Sequence, residues 1–595
     1  MPRLSDLPKV AACPAAQADM EVGMGPSRHR IYWSAAIAVG ALVLAGCGSS
    51  GSSSGGGSGI KNGGSITYAL DEDVAGFNIN MANDSQFVLA EMLDQVWPSV
   101  YVTQPNATVA LNTALVTSAK VTSNSPQTVV YQINPKAVWS DGTPINAADF
   151  IYAWQSQSGN PKYKDVGGKA YLPASTSGYS QIQSVTGTNN DKTVTVVFAK
   201  PFADWQSLFS EMTPAHIGTK VGFNNGFQTF GPSMQVSGGP FEIQSYTKGE
   251  DLVEVPNPKY WGTKAHLSKI IYRFILDDNQ DAPAIQSNEV QIVNPVIASV
   301  GYATSIKAIQ NFTAQVTPGL EFQHFDFNEA NPYLAKLNVR EAIALGTNRQ
   351  QMIQRIVAPI FSTVNPASAS KAVVLNNRIY MPIQPQYSDT SASMGTFDPT
   401  KAKQLLTSTG MKMGSDGYMQ PTFGPKKGKD LTFSVSTTSG VPVRQQIEEL
   451  FQADMKAIGI KINIQNYDAN TLFGTVGPKS EFDIIEFAWV GSPFESGNQS
   501  IYCSYTNTAV CGENWDHFAD KKVDSLFNQA LTNLNPTADA ALYNQIDAQL
   551  WKDMATLPLF ENPVYYGWST KYANIVPNAS SVGIPWNAQD WALKA

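Results

Sequence analysis

The residues able to do chemistry are scattered rather than grouped. Four histidines, His216, His266, His324 and His517, follow position 64. None stands in HExxH or in a Cys/His ligand spacing, so a zinc enzyme has no support. The Gly-x-Ser-x-Gly at residues 51–55 sits in a run of only glycine and serine. A nucleophile elbow needs a strand before it and a helix after it. "GPKKGKD" (residues 424–430) lacks the spacing and the final Ser/Thr of a phosphate loop. With 48 Asp and Glu, carboxylate pairs arise anywhere by chance and single out no glycosidase pair. The reading is a chain that is not an enzyme and needs no cofactor or metal.

The cysteines say more. Cys503 and Cys511 flank a Tyr- and Asn-rich loop in "YCSYTNTAVCGENW". In an oxidising compartment they close a small disulfide loop; otherwise they are two unrelated thiols. Cys47 ends "ALVLAGC", behind the basic Arg28-His29-Arg30 and an apolar run over residues 31–44. That run is shorter than the ~20 residues of a bilayer span and has the length of a signal-peptide core. Leu44-Ala45-Gly46-Cys47 resembles the bacterial lipobox. The resemblance implies cleavage between Gly46 and Cys47, and a diacylglycerol thioether on Cys47 holding the chain at the outer face of the cytoplasmic membrane. Residues 1–46 then form the leader, with Met24 or Met20 as the expected start, which would leave Cys13 outside the protein. Residues 47–63 form the lipidated cysteine and linker. The Gly/Ser tract, residues 48–59, behaves as a flexible coil of roughly 17–21 Å span.

At 595 residues, two or three domains are expected. Net charge is −8 and only 15% of residues are charged, with no basic run, which excludes nucleic acid as a partner. "GSITYAL" (64–70), "TVVYQI" (128–133) and "TVTVVF" (193–198) read as strands. Residues 339–357 and 444–459 have helical apolar spacing, as do "KVDSLFNQAL" and "ALYNQIDAQLWKDM". The class is α/β. "VVYQINPKAVWSDGTPINAADFIYAWQ" (129–155) reads as a strand, a Gly/Pro turn, and a helix capped by Asn146 with Asp149 in its first turn. Phe150, Ala153 and Trp154 share its buried face.

This strand–"DGTP"–helix segment resembles the signature of the family 5 extracytoplasmic solute-binding proteins, the dipeptide and oligopeptide receptors of ABC importers, with an actinobacterial flavour. "SGGPFEIQSYTKGEDLVEVPNPKYWG" (237–262), "APAIQSNEVQIV" (282–293), "HFDFNEANPYLAKLNVREAIALGTNR" (324–349) and "LWKDMATLPLFE" (550–561) continue the likeness in the family's order. The resemblance implies a two-lobed periplasmic-binding-protein-like fold (class II, dipeptide/oligopeptide receptor type) with an additional third domain. Carried over, domain I holds residues 64–100, 232–325 and 562–595, domain II 101–231, and domain III 326–561. The chain would cross between lobes near Phe325 to Asn328 and near Pro558 to Glu561, making a hinge.

The family's peptide receptors place an Asp three residues after a Trp to hold the ligand's ammonium. Here Trp489 is followed by Ser492, and Glu495 is a possible substitute further on. A neutral, hydroxylated or glycosylated ligand therefore suits the site at least as well as a free peptide. Asn78, Asn80 and Asp84, after the first strand, and Asn328 are further candidate contacts, or Asx-turn residues serving their own backbone. Trp489 is a stacking platform or simply core. The implied protein is a monomer that binds a small solute, peptide or neutral polar, and meets importer permease subunits. The other role is a non-transport lipoprotein on the same fold, governing phosphatidylinositol mannoside and lipoarabinomannan synthesis.

Overall fold

Two strands run well past the usual 3–10 residues: Phe312–Phe327, of 16 residues, and Thr556–Ser569, of 14. They pair antiparallel from Phe312↔Ser569 to Asp326↔Thr556. The computed structural model describes residues 59–81, 83–506 and 511–595; Cys13, the leader, Cys47 and the tract to residue 58 lie outside them.

The long pair is the middle of one ten-stranded sheet. On one side follow Ile484–Val490, Thr432–Ser436 and Lys461–Ile464. On the other follow Ile292–Val293, Ser65–Leu70, Lys269–Phe274, Asp251–Pro256 and Phe241–Thr247. The ladder breaks between Pro318 and Phe322, opposite Glu561 to Pro563. Pro318 and Pro563 face each other, and neither has an N–H to give. A Cβ on Gly319 would lie 2.9 Å from the Asn562 carbonyl oxygen, so the bulge needs glycine. A smaller register shift follows between Gln323 and His324, opposite Phe560 and Pro558, and the Pro318/Pro563 break lies ahead of it. Its position follows from the opposed prolines, which the strand pattern alone does not align.

A separate four-stranded antiparallel sheet orders Val116–Asn124, Gln127–Ile133, Thr193–Phe198 and Ile182–Thr188. Its strands alternate, burying Val129, Tyr131, Val194, Val196 and Phe198. Helix Ala147–Gln157 lays Phe150, Ala153 and Trp154 into that core. Asn146 and Asp149 form a full capping box: the Asn146 side chain accepts from Ala148 N–H at 2.8 Å, and Asp149 accepts from Asn146 N–H at 2.9 Å. Asp149 also accepts from Ala215 N–H and the Trp139 indole. Burial still raises its carboxyl to about 6.

Residues 339–357, expected as one helix, are interrupted. Helix Leu337–Gly346 stops, Asn348 caps a new turn through Gln351 N–H, and Arg349–Met352 passes into the wider turn Ile353–Val357. The break lets Arg349 reach inward to the carbonyls of Leu375 and Pro558. Helices Pro442–Ile458, Lys521–Ala530 and Pro536–Asp553 stand where apolar spacing puts them.

Candidate functional site

Strand Ile484–Val490 pairs in register with the first long strand, Phe487 opposite His324 and Trp489 opposite Phe322. The two-residue period puts Phe487 and Trp489 on one face. Their rings meet at 4.9 Å, and Trp515 joins them at 5.5 and 6.0 Å. Phe473, more exposed, packs edge-on at 5.7 Å from Phe487. The fully buried His324 ring backs this wall, stacked 5.9 Å from Trp489.

The wall faces a cavity of about 1360 Å³, larger than the 300–1,000 Å³ of ordinary ligand pockets. Its far side comes from the four-stranded-sheet region: the loop 173–181 and Lys200. That loop is tied down by Ala174 N–H donating to the Asn80 carbonyl at 2.7 Å. The two sides also touch directly. Ala203 N–H donates to the Leu531 carbonyl at 2.9 Å, and Ser496 N–H to Asp204 Oδ2 at 2.8 Å. Cys503 and Cys511, joined as a disulfide with Cα atoms 5.5 Å apart, lie at the cavity edge.

Trp489 and Ser492 line this cavity. The Ser492 hydroxyl accepts from Phe494 N–H at 3.1 Å, within its own loop. Glu495 is buried and turned away, accepting from Gln384 at 3.1 Å and Asn498 at 2.9 Å. Burial, then the charge of Asp204, pushes its carboxyl well above the usual range. The remaining candidates hold loops. Asn78 donates to the Phe223 carbonyl at 2.7 Å, and Asp84 accepts from Asn78 N–H at 3.1 Å. Asn80 donates to the Glu211 carbonyl at 3.2 Å. Asn328 donates to the carbonyls of Ser480 and Phe482. None of these four is part of the cavity lining.

Phe473, Phe487, Trp515 and the loop 173–181 are wall residues that sequence reasoning passes over. Phe487 was legible as the strand neighbour of Trp489 two positions on; the Ser/Thr loop carries no chemical signal. Among the described residues, no group of three or more His, Cys, Asp or Glu is placed to hold a metal ion, and no helix is long and apolar enough to cross a membrane.

Two bodies of structure joined by a pair of long strands, with a large aromatic-walled cavity between them, define a two-lobed solute-binding protein. The chain belongs to the bacterial extracellular solute-binding proteins, family 5, whose middle-region model matches residues 110–509. These are binding proteins, not enzymes. The chain is 29% identical over 516 residues to the oligopeptide-binding protein OppA of Mycobacterium tuberculosis, covering 85% of this chain and 81% of that one. It is 28% identical over 411 residues to the probable monoacyl phosphatidylinositol tetramannoside-binding protein LpqW of the same species, covering 67% and 60%. Among solved structures, the periplasmic EDTA-binding protein EppA superposes with a TM-score of 0.81 at 25% identity, covering 90% of this chain and 97% of that one.

Proposed function

We propose that the chain is a lipid-anchored receptor that captures a peptide or related polar solute by closure of its lobes and delivers it to an ABC importer. The carrying observation is the cavity of about 1360 Å³ between the loop 173–181 and the Phe487–Trp489–Trp515 wall. Domain II, residues 101–231, moves with domain I as one body, tied to it by the Ser140 N–H to Ser237 carbonyl and Trp261 to Ala114 carbonyl hydrogen bonds. Domain I (64–100, 232–325, 562–595) holds the linker side, and domain III (326–561) carries the aromatic wall. Bending falls at the Pro318/Pro563 break, where few backbone bonds are lost. Diacylglycerol on Cys47 keeps the receptor at the outer face of the membrane, and the Gly/Ser tract lets it swing to the permease as a monomer. In the cleft, Trp489 and Ser492 meet the solute, while Asn78, Asn80, Asp84 and Asn328 keep the surrounding loops in shape.

Deleting the gene should abolish uptake of the solute, and the purified protein should melt later in its presence, dose-dependently. Uptake unchanged in the deletion strain would sink the transport role. The likeness to LpqW favours a second reading, a lipoprotein governing envelope glycolipid synthesis. Loss of the gene would then alter those glycolipids and leave uptake intact.

A further inference from the structure

We infer that a basic, apolar patch on domain II seats on an anionic bilayer surface; this rests on the membrane-anchored reading and adds a second contact to the anchor. Val166, Leu172 and Val221 are 46%, 60% and 42% exposed. Single exposed apolar side chains are ordinary, but these three are gathered by one clamp. Buried Asp165 accepts from the N–H groups of Phe223 and Asn224 at 2.8 and 2.9 Å. The buried Asn224 side chain accepts from Leu172 N–H at 3.0 Å and donates to the Ala170 carbonyl at 2.8 Å. A Cβ on Gly222 would lie 3.5 Å from Val166, so Val166 abuts the residue after Val221. Gly167 and Gly168, both at positive φ, turn the chain between Val166 and Lys169.

The surround is basic. Lys162, Lys164, Lys169 and Lys220 are exposed, and among the described residues none of them is in an ion pair. Residues 160–172 and 215–226 hold one acid, the buried Asp165, whose oxygens are already taken. Asp141, which faces the helix carrying Lys220, is held by His216 at 2.7 Å. A chain of net charge −8 thus gathers four lysines at one place. Contact cores between proteins favour aromatic residues and Arg and are depleted of Lys. Lysines around Val and Leu instead match a bilayer interface, where apolar tips enter the headgroup layer and lysines reach phosphates. Each lysine near an anionic surface improves partitioning about fivefold. The Gly/Ser tract reaches roughly 40 Å at full extension, so the tether keeps that surface at high local concentration. Leu172 leads straight into the loop 173–181 that walls the cavity, so seating the patch brings that wall to the membrane.

The test is amide hydrogen exchange on the lipidated full chain, held on bilayers of phosphatidylcholine or of an equal mixture with phosphatidylglycerol. Residues 164–172 and 219–222 should exchange at least tenfold more slowly on the anionic bilayer, and high salt should erase the protection. Lys164→Gln, Lys169→Gln and Lys220→Gln together should remove it, a loss of about a hundredfold in partitioning. All three side chains are exposed, so the melting temperature should not change. A chain retained on both bilayers with identical exchange would overturn the inference and leave the anchored receptor standing. Protection that appears only when permease is added to the neutral bilayer would also overturn it, making the patch a protein contact. A chain that washes off both bilayers would overturn the anchor and the inference together.

Discussion

Asp204, on the four-stranded-sheet side of the cavity, accepts the backbone N–H of Ser496 on the aromatic side at 2.8 Å. A hydrogen bond to a charged group is worth about 1.5–3 kcal/mol. It lies beside the Ala203 to Leu531 backbone bond, so these contacts act as a latch between the two sides. Asp204→Ala should open the molecule, and solution scattering should record a larger radius of gyration. Asp204→Asn, which keeps an acceptor oxygen, should stay near the parent. Identical scattering from all three would remove the latch.

The latch also weakens as pH rises. Burial raises the carboxyls of Asp204 and Glu495, and burial with the charge of Asp204 raises Asp539 to about 7. The same happens elsewhere: burial takes Asp94 to about 7, Glu486 to about 7 and Glu561 to about 8. An acid whose folded-state pKa is raised holds a proton that the unfolded chain releases. Stability therefore falls as pH climbs from the ordinary carboxyl range through 7 to 8. The protein should melt several degrees higher at pH 5.5 than at pH 8 by calorimetry. A melting temperature that rises with pH over that interval would contradict the assignment.

Gly239, in the "SGGP" stretch, passes so close to the neighbouring chain that a Cβ would lie 2.1 Å from the Gln95 carbonyl oxygen. The Ser237 hydroxyl donates to the Val96 carbonyl at 2.8 Å, and Asn257 donates to the Gly239 carbonyl at 2.9 Å. Two polar contacts and one missing side chain thus clamp the 237–239 stretch against Gln95–Val96 on one side and Asn257 on the other. Gly239→Ala forces backbone movement, and a loss of about 1–3 kcal/mol is expected in denaturant unfolding. Unchanged stability would mean the clamp yields without strain.

These examples mark what the sequence discloses and what it hides. The "DGTP" turn and its Asn146–Asp149 cap are local, so residue types and spacing specify them, and the helix begins where the cap puts it. The resemblance points to Trp489 and Ser492 through a strand neighbourhood that carries over with its motif, and both residues line the cavity. The role of Glu495 is hidden, because what turns it from the cavity is Gln384, 111 residues away. Asn78 and Asn328 are hidden for the same reason: their partners, the carbonyls of Phe223, Ser480 and Phe482, are backbone atoms with no signature in residue type. The Pro318/Pro563 break needs the register of two strands more than 200 positions apart, which only pairing reveals.

Arg378 and Asp547 supply the sharpest energetic test. Both side chains are fully buried, 3.2 Å apart. The guanidinium also donates to the Thr556 hydroxyl at 2.9 Å and lies 4.2 Å from the Trp551 ring centre, while Asp547 accepts from Arg378 N–H at 2.9 Å. Removing one partner strands the other charge away from water, at a cost of about 3–5 kcal/mol. Replacing both with apolar side chains of similar volume removes the stranded charge along with the attraction. Asp547→Leu alone and Arg378→Met alone should therefore each be severely destabilised, and the double variant should recover most of the loss in urea unfolding. If the double variant is as unstable as the sum of the singles, the pair is not coupled, and the hydrogen bonds to Thr556 carry the stability instead.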